Sequence, residues 1–82
     1  MTGVVLYGRP GCHLCDDARA MLERARTSFA FDLVERDIED DDALLRRYLE
    51  RIPVIEVDGE EAFELLVDEV ELRRYLARVQ GR

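Results

Sequence analysis

A short apolar run, Val4-Val5-Leu6-Tyr7, is broken by Gly8, Pro10 and Gly11 and then followed by Cys12-His13-Leu14-Cys15. That order constrains the fold more than any other feature of the chain. The run is rich in β-branched and aromatic residues and carries no polar interruption, which suits a strand in a sheet covered on both faces. Beyond it the apolar period changes. Leu14, Ala18, Met21, Leu22 and Ala25 recur at helical spacing and mark the inward face of an amphipathic helix running on from Cys15, which Thr27 and Ser28 end. The two cysteines therefore lie where a strand turns into a helix.

The remaining elements follow from the same kind of pattern. Phe29 to Glu35 predicts a second strand, with Phe29, Phe31 and Leu33 alternating. Asp37, Glu39, Asp40, Asp41 and Asp42 read either as an acidic loop or as a helix N-terminus, where carboxylates cap free N–H groups and oppose the positive end of the dipole. Leu44, Leu45, Tyr48, Leu49 and Ile52 mark the inward face of a second helix, stopped by Pro53. Val54 to Val57 is a third strand. Asp58-Gly59 is a two-residue hairpin signal, because a type I′ turn needs positive φ at both central positions. A partner strand is expected from about Glu61 to Leu65. Asp68 with Glu71 forms a capping-box pattern, with Val67 and Leu72 as its staple. The last helix turns Leu72, Tyr75, Leu76 and Val79 inward and ends near Gly81.

The order strand, helix, strand, helix, strand, strand, helix describes one α/β domain over residues 1–82. A first βαβ unit implies a parallel pair, and the hairpin makes the last pair antiparallel. The economical solution is a mixed four-stranded sheet flanked by three helices. No repeat, linker or low-complexity tract interrupts it.

Charge narrows the partners. The net charge of −7 argues against nucleic acid, which requires a basic face, and against anionic membrane surfaces. It reads most simply as a solubility device. No N-terminal stretch resembles a signal peptide, and no apolar run approaches the roughly 20 residues of a membrane span. A cytoplasmic location is therefore expected. There a structural disulfide is rare, so Cys12 and Cys15 read as redox-active or metal-binding.

At a strand-to-helix junction, the Cys12 sulfur would face the free N–H groups of the helix's first turn, which favour thiolate over thiol. Cys15, one turn on, is placed to attack a mixed disulfide formed at Cys12. Arg9 and a protonated His13 favour the thiolate, whereas Asp16 and Asp17 oppose it. His13 also reads simply as a solvated residue at the helix start. Tyr7 and Tyr48, on apolar faces, read as core. A zinc site would need four ligands. His13 lies inside the pair, so metal or an iron–sulfur cluster would have to be shared through Cys12 across a dimer. That binding-module reading stands as the alternative to a redox one.

Two segments resemble the glutaredoxin family of the thioredoxin-like superfamily. One is Leu6-Tyr7-Gly8-Arg9-Pro10-Gly11-Cys12-His13-Leu14-Cys15, and the other is Ile52-Pro53-Val54-Ile55-Glu56-Val57-Asp58-Gly59. Element order and motif spacing extend the likeness over nearly the whole chain. The resemblance implies a thioredoxin/glutaredoxin fold and a thiol-disulfide oxidoreductase acting on protein or small-molecule disulfides. Within it Cys12 is the nucleophile and Cys15 the resolving thiol. Pro53 is cis, which sets the Ile52 backbone beside the dithiol; read without the family, Pro53 is a plain helix stop. Arg9 matches the basic residue before the family's cysteine pair, and Asp68 matches an acidic residue that helps hold glutathione. No cofactor is implied beyond a thiol reductant, either glutathione as co-substrate or a thioredoxin-reductase-type flavoprotein, and a monomer is expected.

Two departures bear on glutathione. The family's Thr-Val-Pro run is here Arg51-Ile52-Pro53. Its Gly-Gly pair before the last helix is here Leu65-Leu66, where bulk obstructs the backbone approach that glycine permits. Arg46, Arg47 or Arg51 could meet a glutathione carboxylate, or could simply be solvated.

Overall fold

The computed structural model describes residues 1–81. Strand β1 (Gly3–Gly8) leads into helix α1 (His13–Ala25), followed by β2 (Asp32–Asp37), a 3-10 turn (Ile38–Asp40) and α2 (Asp42–Tyr48). Strands β3 (Val54–Val57) and β4 (Glu60–Glu64) and helix α3 (Glu69–Gln80) complete the chain. The sheet order is β2-β1-β3-β4, with β1 parallel to β2 and antiparallel to β3, and β3 antiparallel to β4. This is the expected mixed sheet with three helices.

Alternation along the central strands divides the apolar residues between two faces. Val4 and Leu6 of β1 and Ile55 and Val57 of β3 join Ala18, Leu22 and Ala25 of α1 and Leu72 and Leu76 of α3 in the main core. On the other face Val54 packs with Ile38 and Tyr48, and Tyr7, Leu44, Leu45 and Ile52 close over them. Tyr7 and Tyr48 stack with ring centroids 4.6 Å apart. Both faces of β1 are thus covered, as its unbroken apolar run requires.

Side-chain caps begin the helices. Asp41 Oδ1 accepts from the N–H of Ala43 at 2.8 Å and of Leu44 at 3.3 Å, so the acidic stretch is indeed a helix start. Asp68 Oδ1 accepts from Val70 at 2.8 Å and Glu71 at 3.1 Å. The expected capping box is only half made, because Glu71 turns outward to Arg74 at 3.2 Å. At the hairpin Asp58 and Gly59 take φ of 50° and 87°. Asp58 also closes the turn onto the start of β1, accepting from the Gly3 N–H at 2.8 Å through its carboxylate.

Several boundaries differ from expectation. The second strand is Asp32–Asp37 rather than Phe29–Glu35, since Ser28 and Phe29 N–H groups donate to Ala25 and still belong to the unwinding end of α1. Phe31 is buried without being in the strand. Helix α2 ends at Tyr48, and the N–H groups of Arg51 and Ile52 close a tighter turn on its carbonyl. Leu49 consequently projects outward. Helix α1 begins at His13, so Cys15 takes the inward position of the first turn and Leu14, expected inside, is exposed. Strand β4 stops at Glu64, because Leu65 turns to a φ of 65°.

Candidate active site: a dithiol at a strand-to-helix junction

Strand β1 delivers the chain to the cysteine pair, and the sheet register decides what meets it there. Tyr7 pairs with Val54 across β1 and β3, so Gly8 and Pro53 come next at the same end. Val54 pairs with Glu64 across β3 and β4, which brings Leu65 to that end as well. The Leu65 N–H donates to the carbonyls of Pro53 at 3.0 Å and Arg51 at 3.1 Å. The Ile52–Pro53 bond is cis, as the family resemblance implied.

Cys12 and Cys15 form a disulfide, with Cα atoms 5.2 Å apart. Their environments differ. Cys12 is the N-cap of α1, partly exposed, and its sulfur accepts from the Cys15 N–H at 3.1 Å. In the reduced state that contact favours a thiolate at Cys12, since a helix start presents unpaired donors and the positive end of the dipole. Cys15 is buried to 1% exposure. Gly8 makes this packing possible: a Cβ there would lie 3.0 Å from Cys15 Sγ. From the sequence Gly8 reads as a strand breaker; its position just ahead of the cysteine pair, at the end of a buried strand, is the signal of this close packing.

The two arginines beside the dithiol are paired with carboxylates. Arg9 lies 3.9 Å from Glu39 and lines a cavity of about 340 Å³ that opens beside Cys15. Arg19 crosses the same cavity, donating to Glu35 and, at 2.9 Å, to Asp16. Asp16 therefore opposes a thiolate less than an unpaired carboxylate would. The hydrogen bond to Glu35 holds the Arg19 guanidinium firmly in its charged form. His13 and Asp17 are exposed on the first turn. Asp68 caps α3 with one carboxylate oxygen.

A second cluster, missed from sequence, supports the Ile52–Pro53 segment. Arg51 donates to Glu61 and, at 2.6 Å, to Glu64, and lies over the Tyr48 ring at 5.3 Å. Arg47 reaches Glu61 at 3.3 Å, and the Tyr48 hydroxyl donates to Glu61 at 3.1 Å. The Arg51 hydrogen bond holds the Glu61 carboxyl below the usual carboxylate range. Burial pushes the Tyr48 hydroxyl up, and its bond to Glu61 adds to this. Arg51 and its partners are too far apart in sequence for spacing to have revealed them. Among the described residues no group of three or more His, Cys, Asp or Glu side chains is arranged to hold a metal ion.

The geometry agrees with what sequence comparison shows. A family described as Glutaredoxin-like domain (DUF836) matches residues 3–77. The chain belongs to this glutaredoxin-like family. Among solved structures, the XcR50 protein from X. campestris is similar at 36% identity, covering 92% of this chain and 96% of that one, with a TM-score of 0.76. Protein Ne2328 from Nitrosomonas europaea is similar at 31% identity, covering 92% and 91%, with a TM-score of 0.78. A mutant thioredoxin from Halobacterium salinarum NRC-1, at 20% identity over 94% of this chain and 73% of that one, shares the fold with a TM-score of 0.71. No protein of curated function matches the sequence. Family and cysteine geometry together support a thiol redox function for this glutaredoxin-like domain. Among the described residues no helix is long and apolar enough to cross a membrane.

Proposed function

We propose that this glutaredoxin-like protein is a thiol-disulfide oxidoreductase that reduces protein or small-molecule disulfides. The observation that carries the proposal is the unequal placement of the two sulfurs. Cys12 is partly exposed at a helix start, and Cys15 is buried behind it.

In the reduced protein the Cys12 thiolate attacks one sulfur of a substrate disulfide. The substrate S–S bond breaks, a Cys12–substrate disulfide forms, and the first substrate thiolate leaves and takes a proton. Cys15 then loses its proton and attacks Cys12 Sγ. The mixed disulfide breaks, the second substrate thiolate leaves, and Cys12–Cys15 closes. Two electrons have passed to the substrate. An external thiol reductant returns them, either glutathione or a thioredoxin-reductase-type flavoprotein. Arg9 and His13 border the attacking sulfur in sequence, and Ile52, Pro53 and Asp68 belong to the face that receives substrate. The protein works as a cytoplasmic monomer and needs no resident cofactor.

Disulfide reduction by the wild type, Cys12→Ser and Cys15→Ser, read with intact mass, tests this. Cys12→Ser should be inactive with either reductant. Cys15→Ser should accumulate a mixed disulfide with substrate. A wild type no faster than Cys12→Ser ends the proposal.

A further inference from the structure

Exposed apolar side chains are not spread evenly over this molecule. Of the seven large ones among the described residues, Leu14, Leu65 and Leu66 all belong to the end of the sheet that carries the dithiol. Leu14 lies between the cysteines and is 41% exposed, Leu65 is 47% exposed and Leu66 78%. Leu65 is held against the Ile52–Pro53 segment by its N–H bonds to the Arg51 and Pro53 carbonyls. It stays there at a φ of 65°, a conformation that a leucine adopts at a cost of about 1 kcal/mol. Solubility does not explain leucines at these positions, since polar residues would serve better.

The cation beside the Ile52–Pro53 segment is already matched within the protein. Arg51, the cation adjoining Ile52–Pro53, gives its donors to Glu61 and Glu64. It is therefore poorly placed to capture a carboxylate on an incoming ligand, and the paired glutamates repel one.

We infer that Leu14, Leu65 and Leu66 form an apolar docking rim that selects polypeptide disulfides with uncharged apolar residues beside the cysteine, over small anionic disulfides. This rests on the oxidoreductase reading and names its substrate class. The occupant follows from continuity with the dithiol: whatever presents a disulfide to Cys12 must lay its flanking residues across this end. Burying apolar flanks against exposed leucines is favourable, whereas carboxylate flanks would meet leucine and glutamate.

The test uses fully reduced protein in single turnover, so that no reductant enters. Two probes are compared: the disulfide-linked dimer of capped Leu-Cys-Val, and oxidised glutathione as the anionic probe. In both, the protein dithiol becomes a disulfide and two substrate thiols are released. Wild type should oxidise about tenfold faster with the apolar dimer, the effect of burying one to two methylene groups. The paired change Leu65→Gly with Leu66→Gly should bring the two rates close together, and glycine suits the positive φ at position 65. Should that variant unfold, Leu66→Ser alone, at the most exposed position of the rim, should narrow the ratio in the same direction. Glu64→Gln, which releases one partner of Arg51, should raise the rate with oxidised glutathione by about threefold, the scale of one exposed ion pair. Equal wild-type rates, or a ratio unmoved in the folded leucine variants, overturns the rim. Reduced protein that oxidises with neither probe instead overturns the oxidoreductase reading, and the rim with it.

Discussion

Single residues set the tolerances of this site. Gly8 has Cys15 Sγ 3.0 Å and Cys15 Cβ 3.1 Å from where its own Cβ would stand. Both atoms belong to Cys15, which is bonded to Cys12 and fixed in the first turn of α1, so they can give way only if that turn shifts. Gly8→Ala should therefore destabilise the protein by about 1–2 kcal/mol in chemical denaturation, as overpacking of a core does. Gly59 makes a different demand. Nothing lies within 4 Å of an added Cβ there, yet its φ is 87°. Gly59→Ala should cost about 1 kcal/mol through the backbone alone, read as a lowered denaturation midpoint with unchanged slope. The cysteines illustrate the same point through burial. Residue types and spacing identified the pair, but only position relative to the sheet makes one sulfur accessible and hides the other.

At the scale of elements, caps and registers carry the organisation. Asp68 binds two N–H groups of α3 without the reciprocal Glu71 bond. Asp68→Ala should lower stability by about 1 kcal/mol, measurable by urea denaturation. Were Asp68 instead only a substrate contact, stability would be unchanged and turnover alone would fall. The hairpin was readable because its turn chemistry is local: Asp58-Gly59 specifies two positive φ values whatever surrounds it. The second strand was less readable. Phe29 and Phe31 alternate as a strand would, but α1 unwinds through Phe29, so pairing with β1 starts only when Asp32 reaches Gly3. A period-two pattern cannot tell a strand from a loop that also packs alternate side chains on a core. The inward face of α1 is as expected at Ala18, Leu22 and Ala25 and differs at Leu14, because Cys15 takes the inward position of the first turn.

At the scale of the molecule, ion pairs tie elements that the core joins only on their inner sides. Arg24 grips Glu69 with bonds of 2.9 and 2.8 Å between α1 and α3, and Arg51 joins the end of α2 to β4 through Glu61 and Glu64. Hydrogen bonds from these arginines hold the Glu69 and Glu61 carboxyls below their ordinary range. A carboxyl depressed in the folded state stabilises at pH values above its unfolded value, and that contribution is lost as pH falls through the folded one. Urea midpoints should therefore decline from pH 7 toward pH 3. Glu69→Gln should be less stable at pH 7 and show a shallower acid decline. A midpoint that did not fall below pH 5 would mean that these pairs contribute nothing net.

The sequence by itself determined the element order, the hairpin, the helix cap at Asp68 and the location of the cysteine pair. All of these rest on interactions within a few residues, which composition and spacing express directly. Only the tertiary structure decided what stands opposite the dithiol. Bringing residues 8, 12–15, 51–53 and 65–66 to one end requires strand register, and register is a property of paired strands rather than of any one segment. The same is true of the Arg51 cluster and of the outward turn of Leu14.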